Sequence, residues 1–129
     1  MGRQILIAED SAVTRAYLVS TLEDLEDFEI VEASTGFEAL KQLPRKKFSL
    51  IITDINMPDI NGLELINFVK NNMNYRHIPL IVVTTEGAER DRKKGIALGA
   101  DEYLVKPVDP EKLQEIVSKY LSDNTEKGA

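Results

Sequence analysis

Leu50–Leu65 reads LIITDINMPDINGLEL. An apolar run stops abruptly at a carboxylate, Asp54, and the chain then turns through Met57-Pro58 and Asn61-Gly62 before a new apolar pattern begins. Short, near-continuous apolar runs bounded by turn residues are the mark of strands buried on both faces of a parallel sheet. An acid directly off such a strand lies where open α/β sheets bind their ligands, beyond the carboxyl ends of the strands.

Working outward, four more segments are short and rich in Ile, Val and Leu: Gln4–Glu9, Phe28–Ala33, Ile78–Thr84 and Glu102–Lys106; of these, the first and third share the near-continuous apolar run of Phe48–Thr53. Between them apolar residues recur at helical spacing. Val13, Tyr17, Leu18, Thr21, Leu22 and Leu25 form the first stripe, and Phe37, Leu40 and Leu43 the second. Leu63, Ile66, Phe68 and Val69 form the third. Ile96-Ala97-Leu98, after the charged run ERDRKK, belong to the fourth, and Leu113, Ile116, Val117, Tyr120 and Leu121 to the fifth. Ser11 can cap the first helix, Gly99 can end the fourth, and Asp109-Pro110 reads as an N-cap followed by proline at the first helical position. Strict alternation of five strands and five helices predicts a doubly wound parallel sheet with helices on both faces. A single domain is expected over 1–129, ordered from about 4 to 121, with SDNTEKGA (122–129) as a frayed polar tail.

The bulk composition narrows the function. A length of 129 residues allows one domain with a real core. The formal charge of −6, from 16 basic and 22 acidic residues, argues against a nucleic-acid surface, which needs a basic face. With no cysteine, disulfides and thiolate metal sites are excluded. The run Ile5–Ala8 is too short for a signal peptide, no segment has the length of a membrane span, and Leu6 stands where a myristoylation signal at Met1-Gly2 requires Ser or Thr. The expectation is a soluble cytoplasmic domain.

The strand ends carry the chemistry. The first ends in Glu9-Asp10, the third in Asp54, the fourth in Thr84-Thr85 and the fifth in Lys106-Pro107. Singly, each has a plain structural explanation: an Asx-turn, a helix cap, a strand-end hydroxyl, a surface lysine, a strand stop. His77, before Ile78-Pro79, reads as solvated. Together they bring three carboxylates, a hydroxyl and an ammonium to one edge. Carboxylates so close repel, so a positive group belongs among them. Magnesium, which prefers oxygen ligands and is often held by one or two carboxylates plus a phosphoryl oxygen, fits that demand. Lys106 supplies a second, mobile charge.

At this point the chain resembles a response-regulator receiver domain of the stand-alone, chemotaxis-regulator type. The motifs are AED after the first strand, TDINMPDINGLEL, VTTE and YLVKP, in this order, over about Gln4–Leu121. The resemblance, and not the spacing, implies a flavodoxin-like strand order of 2-1-3-4-5. It also implies that Asp54 is the phosphoacceptor for a histidine kinase or phosphotransfer protein. Magnesium would be held by Asp10, Asp54 and the Asn56 carbonyl, with Glu9 acting through a coordinated water. Lys106 would contact phosphoryl oxygens, and Lys106-Pro107 would be a cis peptide. Thr84 would be the switch hydroxyl, and Tyr103 the aromatic that swings inward after it. Asn56 and Glu86 would tune self-hydrolysis, while Met57-Pro58 and Gly62 shape the acceptor loop. A downstream partner would read the fourth helix, fifth strand and fifth helix. Glu9 stands where many relatives have Asp, and Thr85 where a small residue is usual. No output domain follows Leu121, which leaves direct partner binding or a domain cut from a longer chain.

Three other readings compete. A haloacid-dehalogenase-like phosphatase also uses a strand-end Asp, but needs an acid where Asn56 stands and places its nucleophile after the first strand. A flavin binder of this fold needs a Gly-rich phosphate loop where Glu9-Asp10 would repel phosphate. A pseudo-receiver, a binding module that is never phosphorylated, lacks one of the charged residues that this chain has in full.

Overall fold

The computed structural model describes residues 3–25 and 28–128, with backbone alone from 123 to 128. Strands β1 (Arg3–Ala8) and β3 (Phe48–Thr53) lie at the centre because their aliphatic residues need cover on both faces: Ile5, Leu6, Ile7, Leu50, Ile51 and Ile52 are wholly buried. With β2 (Phe28–Ala33), β4 (Leu80–Thr84) and β5 (Glu102–Val105) they form a five-stranded parallel sheet in the order β2-β1-β3-β4-β5. The doubly wound α/β fold and its implied order are thus what the chain adopts.

Helices α1 (Ala12–Glu23), α2 (Gly36–Gln42), α3 (Gly62–Lys70), α4 (Glu89–Leu98) and α5 (Pro110–Gly128) connect the strands. Alternation along each strand divides the core in two. Leu6, Ile51 and Val82 face one layer with Ala39 of α2 and Leu65, Ile66 and Val69 of α3. Ile5, Ile7, Ile52 and Val83 face the other, with Leu18 and Leu22 of α1 and Leu113, Val117 and Leu121 of α5. Truncating one such Leu or Ile to Ala costs roughly 2–5 kcal/mol, because the cavity collapses only in part.

Local signals set the helix ends. Ser11 Oγ accepts from the Thr14 N–H at 3.3 Å. Asn61 and Glu64 form a reciprocal capping box at the start of α3. Gly99, at φ 119°, closes α4 in the left-handed region open to glycine. Asp109 receives the Glu111 and Leu113 N–H groups at the start of α5.

Strand ends differ slightly from expectation, with consequences for the site. β1 ends at Ala8 and β5 at Val105, so Glu9 and Lys106 stand just beyond the strands. β4 begins at Leu80, since Pro79 has no N–H to donate. Five large residues counted in apolar stripes face outward: Val13, Tyr17, Phe37, Phe68 and Ile96. At 100° per residue, Val13 lies about 140° around α1 from buried Leu18, which explains the first. The anticipated tail from Ser122 coincides with helix through Gly128; Met1-Gly2 and Ala129 lie outside the described residues.

Candidate functional site

The ladder continues one step past β1 and β3: the Glu9 N–H donates to the Ala33 carbonyl and the Asp54 N–H to the Ala8 carbonyl, both at 3.0 Å. This sets Glu9 and Asp54 side by side on adjacent strand ends. Both are buried, while Asp10 is exposed. Asp54 Oδ1 accepts from the Ile55 N–H at 2.5 Å and the Asn56 N–H at 3.3 Å. Glu9 Oε2 accepts from the Ser11 N–H at 3.1 Å.

Lys106 reaches the two acids from the far strand. Its N–H donates to the Thr84 carbonyl at 2.8 Å, and the bond to Pro107 is cis. Its Nζ donates to Glu9 Oε1 and Asp54 Oδ2, 3.0 Å each. Burial works against the charged ammonium, but its bonds to Asp54 and Glu9 prevail and hold the Lys106 pKa above its ordinary value. For Glu9 burial prevails instead. It raises the carboxyl pKa against the opposing bonds from Lys106 and Ser11, and the Asp54 charge adds to the rise.

One carboxylate oxygen from each of Glu9, Asp10 and Asp54 falls within 4.8 Å of the others. An all-oxygen, carboxylate-rich set suits a hard divalent cation, and three acids against one ammonium leave an excess of negative charge for it. The residues therefore fit magnesium.

The switch candidates lie on the same edge. Thr84 is wholly buried, and its Oγ1 accepts from the Glu86 N–H at 3.2 Å. Thr85 is exposed and Glu86 half-buried. The Tyr103 ring is buried, and its hydroxyl donates to the Glu86 carbonyl at 2.5 Å. A Cβ on Gly95 of α4 would lie 3.2 Å from two ring carbons, so that glycine leaves the ring its place. Burial, then the negative charges of Asp91, Glu86 and Asp54, raise the Tyr103 pKa. The resemblance implied that this ring swings inward after phosphorylation; here it already lies inward.

In the acceptor loop, Met57 is buried, whereas Asn56 and Pro58 are exposed. Gly62 donates to the Ile55 carbonyl at 2.8 Å, and a Cβ there would lie 2.1 Å from the Asp54 carbonyl oxygen, which only glycine avoids. His77 is exposed, as expected.

Two contributors escaped the sequence reading. Arg15 of α1 donates from Nη1 to the Glu9 carbonyl at 2.7 Å and from Nε to Glu32 at 3.1 Å, tying the acidic end of β1 to β2. Asp59 accepts from the Gly36 and Phe37 N–H groups at 3.1 and 3.0 Å, pinning the acceptor loop to α2. An Asp in a turn crowded with Pro and Asn signals a cap, but not whose.

A family model for the response regulator receiver domain matches residues 5–118. The chain belongs to this family. A chemotaxis protein CheY homolog of Campylobacter jejuni is 35% identical over 127 residues, covering 98% of each chain. The solved structure of chemotaxis protein CheY4 of Vibrio cholerae is 32% identical, with a TM-score of 0.84 over 93% of this chain and 99% of that one. A CheY-like receiver from Methanospirillum hungatei is 28% identical, with a TM-score of 0.88 over 98% and 99%. Receivers of this kind are signalling switches rather than metabolic enzymes. Among the described residues, no helix of this receiver is long and apolar enough to cross a membrane.

Proposed function

We propose that this receiver takes a phosphoryl group from the phosphohistidine of a histidine kinase or phosphotransfer protein onto Asp54, and thereby changes which partner it binds. A carboxylate oxygen of Asp54 forms the new bond to phosphorus as the bond to the imidazole nitrogen breaks, and the imidazole keeps the electron pair. The observation that carries this reading is the Lys106 ammonium shared at 3.0 Å with Glu9 and Asp54. It neutralises the pair before transfer and is within reach of phosphoryl oxygens after it. Phosphoryl transfer needs chiefly such positioning and charge stabilisation.

Glu9, Asp10, Asp54 and the Asn56 carbonyl would hold magnesium, which when bound draws charge off the phosphoryl oxygens. The backbone N–H groups of Ile55 and Asn56 keep the Asp54 carboxylate in one orientation. In the switch, Thr84 exchanges its bond with the Glu86 N–H for one to a phosphoryl oxygen. Tyr103 is thereby held inward, and α4, β5 and α5 take the packing that a downstream protein reads. Asn56 and Glu86 govern access of the hydrolytic water. The chain acts as one receiver unit, with no nucleic acid or membrane among its direct partners.

The test is intact mass after incubation with acetyl phosphate, with and without magnesium, for wild type and Asp54→Asn. One magnesium-dependent adduct that decays on standing and is absent from the variant supports the reading. No adduct, with no spectral response to beryllofluoride, refutes it.

A further inference from the structure

At the opposite end of the sheet from Asp54, the turn between α2 and β3 and the loop between α3 and β4 enclose a cleft of about 660 Å³. Its lining joins two chemistries. Phe48 and Ile78, both buried, and half-buried Tyr75 are apolar, whereas Arg45, Lys46 and Lys47 are exposed cations, with His77 across from them in the other loop. No Asp or Glu among the described residues lines it. That is notable in a chain of net charge −6, where acids outnumber bases 22 to 16.

None of Arg45, Lys46 and Lys47 has an ion-pair or side-chain hydrogen-bond partner among the described residues. The apolar surface continues outward. The Tyr75 ring lies 6.2 Å from that of Phe68, which is 43% exposed, and Met73, next to cleft residue Asn74, is 81% exposed. Large exposed side chains beside a cleft, rimmed by polar groups, mark interaction surfaces.

We infer that this cleft is a docking site for an acidic peptide segment of a partner protein, its carboxylates on Arg45, Lys46 and Lys47 and an aliphatic or aromatic side chain on Tyr75 and Phe48. Charge complementarity selects the occupant. Three unpaired cations without an acid between them favour a polyanionic strand and disfavour a neutral one, and the apolar floor asks for more than charge. A flat anionic membrane would meet the cations but not fill a concave floor. The site lies about 20 Å from the phosphorylation edge, since the six residues of β3 separate Phe48 from Asp54 at roughly 3.3 Å each. Docking here is therefore a tether that does not depend on the state of Asp54, and the inference stands apart from the proposed phosphotransfer.

The test uses fluorescence anisotropy with a short labelled peptide alternating Glu or Asp with Leu or Phe. Its comparators are the same peptide with Ser for Leu and Phe, the same with Lys for the acids, polyphosphate, and phosphatidylglycerol vesicles. The full chain should bind the acidic amphipathic peptide saturably and the comparators at least tenfold more weakly. Lys46→Glu/Lys47→Glu should weaken that binding at least tenfold, Tyr75→Ala several-fold, and Asp54→Asn not at all. Circular dichroism checks that each variant is folded, and the exposed lysines make the charge-reversal pair the safe one. Amide shifts on binding should concentrate in Leu43–Phe48 and Asn74–Ile78. No saturable binding, equal binding by the charge-reversal variant, stronger binding to polyphosphate or vesicles, or shifts centred elsewhere would each overturn the inference.

Discussion

Nζ of Lys106 lies 3.0 Å from Oδ2 of Asp54 across 52 positions of chain, with the lysine side chain only 17% exposed. The same ammonium serves Glu9, whose side chain is 1% exposed. Removing one partner of a buried ionic group costs more than the group contributes in net terms, because the remaining charge is stranded. Lys106→Met should lose roughly 3 kcal/mol in urea denaturation at neutral pH. Adding Glu9→Gln should restore part of that loss, since one stranded carboxylate is gone, and the non-additivity is the signature of direct coupling. Phosphoryl uptake by Lys106→Met should fall at least tenfold. A variant as stable and as reactive as wild type contradicts the arrangement.

Gly95→Ala separates stability from switching. Alanine gains about 1 kcal/mol over glycine inside a helix. Against that, its methyl would press on the Tyr103 ring at 3.2 Å. The net change in stability should stay within about 1 kcal/mol, by this balance. The ring, however, should be displaced and its bond to the Glu86 carbonyl weakened, read as lost ring contacts in NMR. Unchanged ring contacts would mean that α4 yields instead of the tyrosine.

Gly62→Ala should be far more costly. Its Cβ would lie 2.1 Å from the Asp54 carbonyl oxygen and 2.7 Å from the Ile55 Cα, both backbone atoms that cannot rotate away. A loss of at least about 3 kcal/mol is expected in urea. Gly87→Ala is the control, because it meets only the Val105 methyls, at 3.2 and 3.7 Å, and should cost much less.

Asp59 should make stability depend on acid pH. N–H bonds from Ile60 above all, with Phe37 and Gly36 contributing, hold its pKa below the ordinary 3.8. A carboxylate depressed on folding stabilises the fold above its unfolded pKa, and the benefit is lost as pH falls through the folded value. Asp59→Ala should therefore be less stable than wild type at neutral pH, and the gap should close below 3.8. Amide exchange at Gly36 and Phe37 should quicken in the variant. A gap that persists in strong acid would assign the effect to packing.

The sheet was legible because its central strands are apolar on both faces; ILI in β1 and LII in β3 leave little choice of element or place. The charged groups of the site were legible because Glu9, Asp54 and Lys106 follow such runs directly. Helix faces were less so. Val13, Phe37 and Phe68 sit among apolar stripe residues and still face solvent, since an apolar residue need not be buried. Arg15 and Asp59 were invisible because their partners lie on other elements, the Glu9 carbonyl and Glu32 carboxylate for the one and the amides opening α2 for the other. Such pairings depend on how elements meet in space, and no local pattern records them. The inward Tyr103 belongs with them, for its acceptor is also a carbonyl, that of Glu86.

The central claim is that Asp54, of three clustered carboxylates, is the one that takes the phosphoryl group. Borohydride reduces an aspartyl phosphate to homoserine, so treatment of the acetyl-phosphate-loaded protein followed by peptide mass spectrometry names the residue. Homoserine at position 54, dependent on magnesium and absent from untreated protein, is the predicted result. Conversion at Asp10, or none at position 54 while an adduct is present, would contradict it.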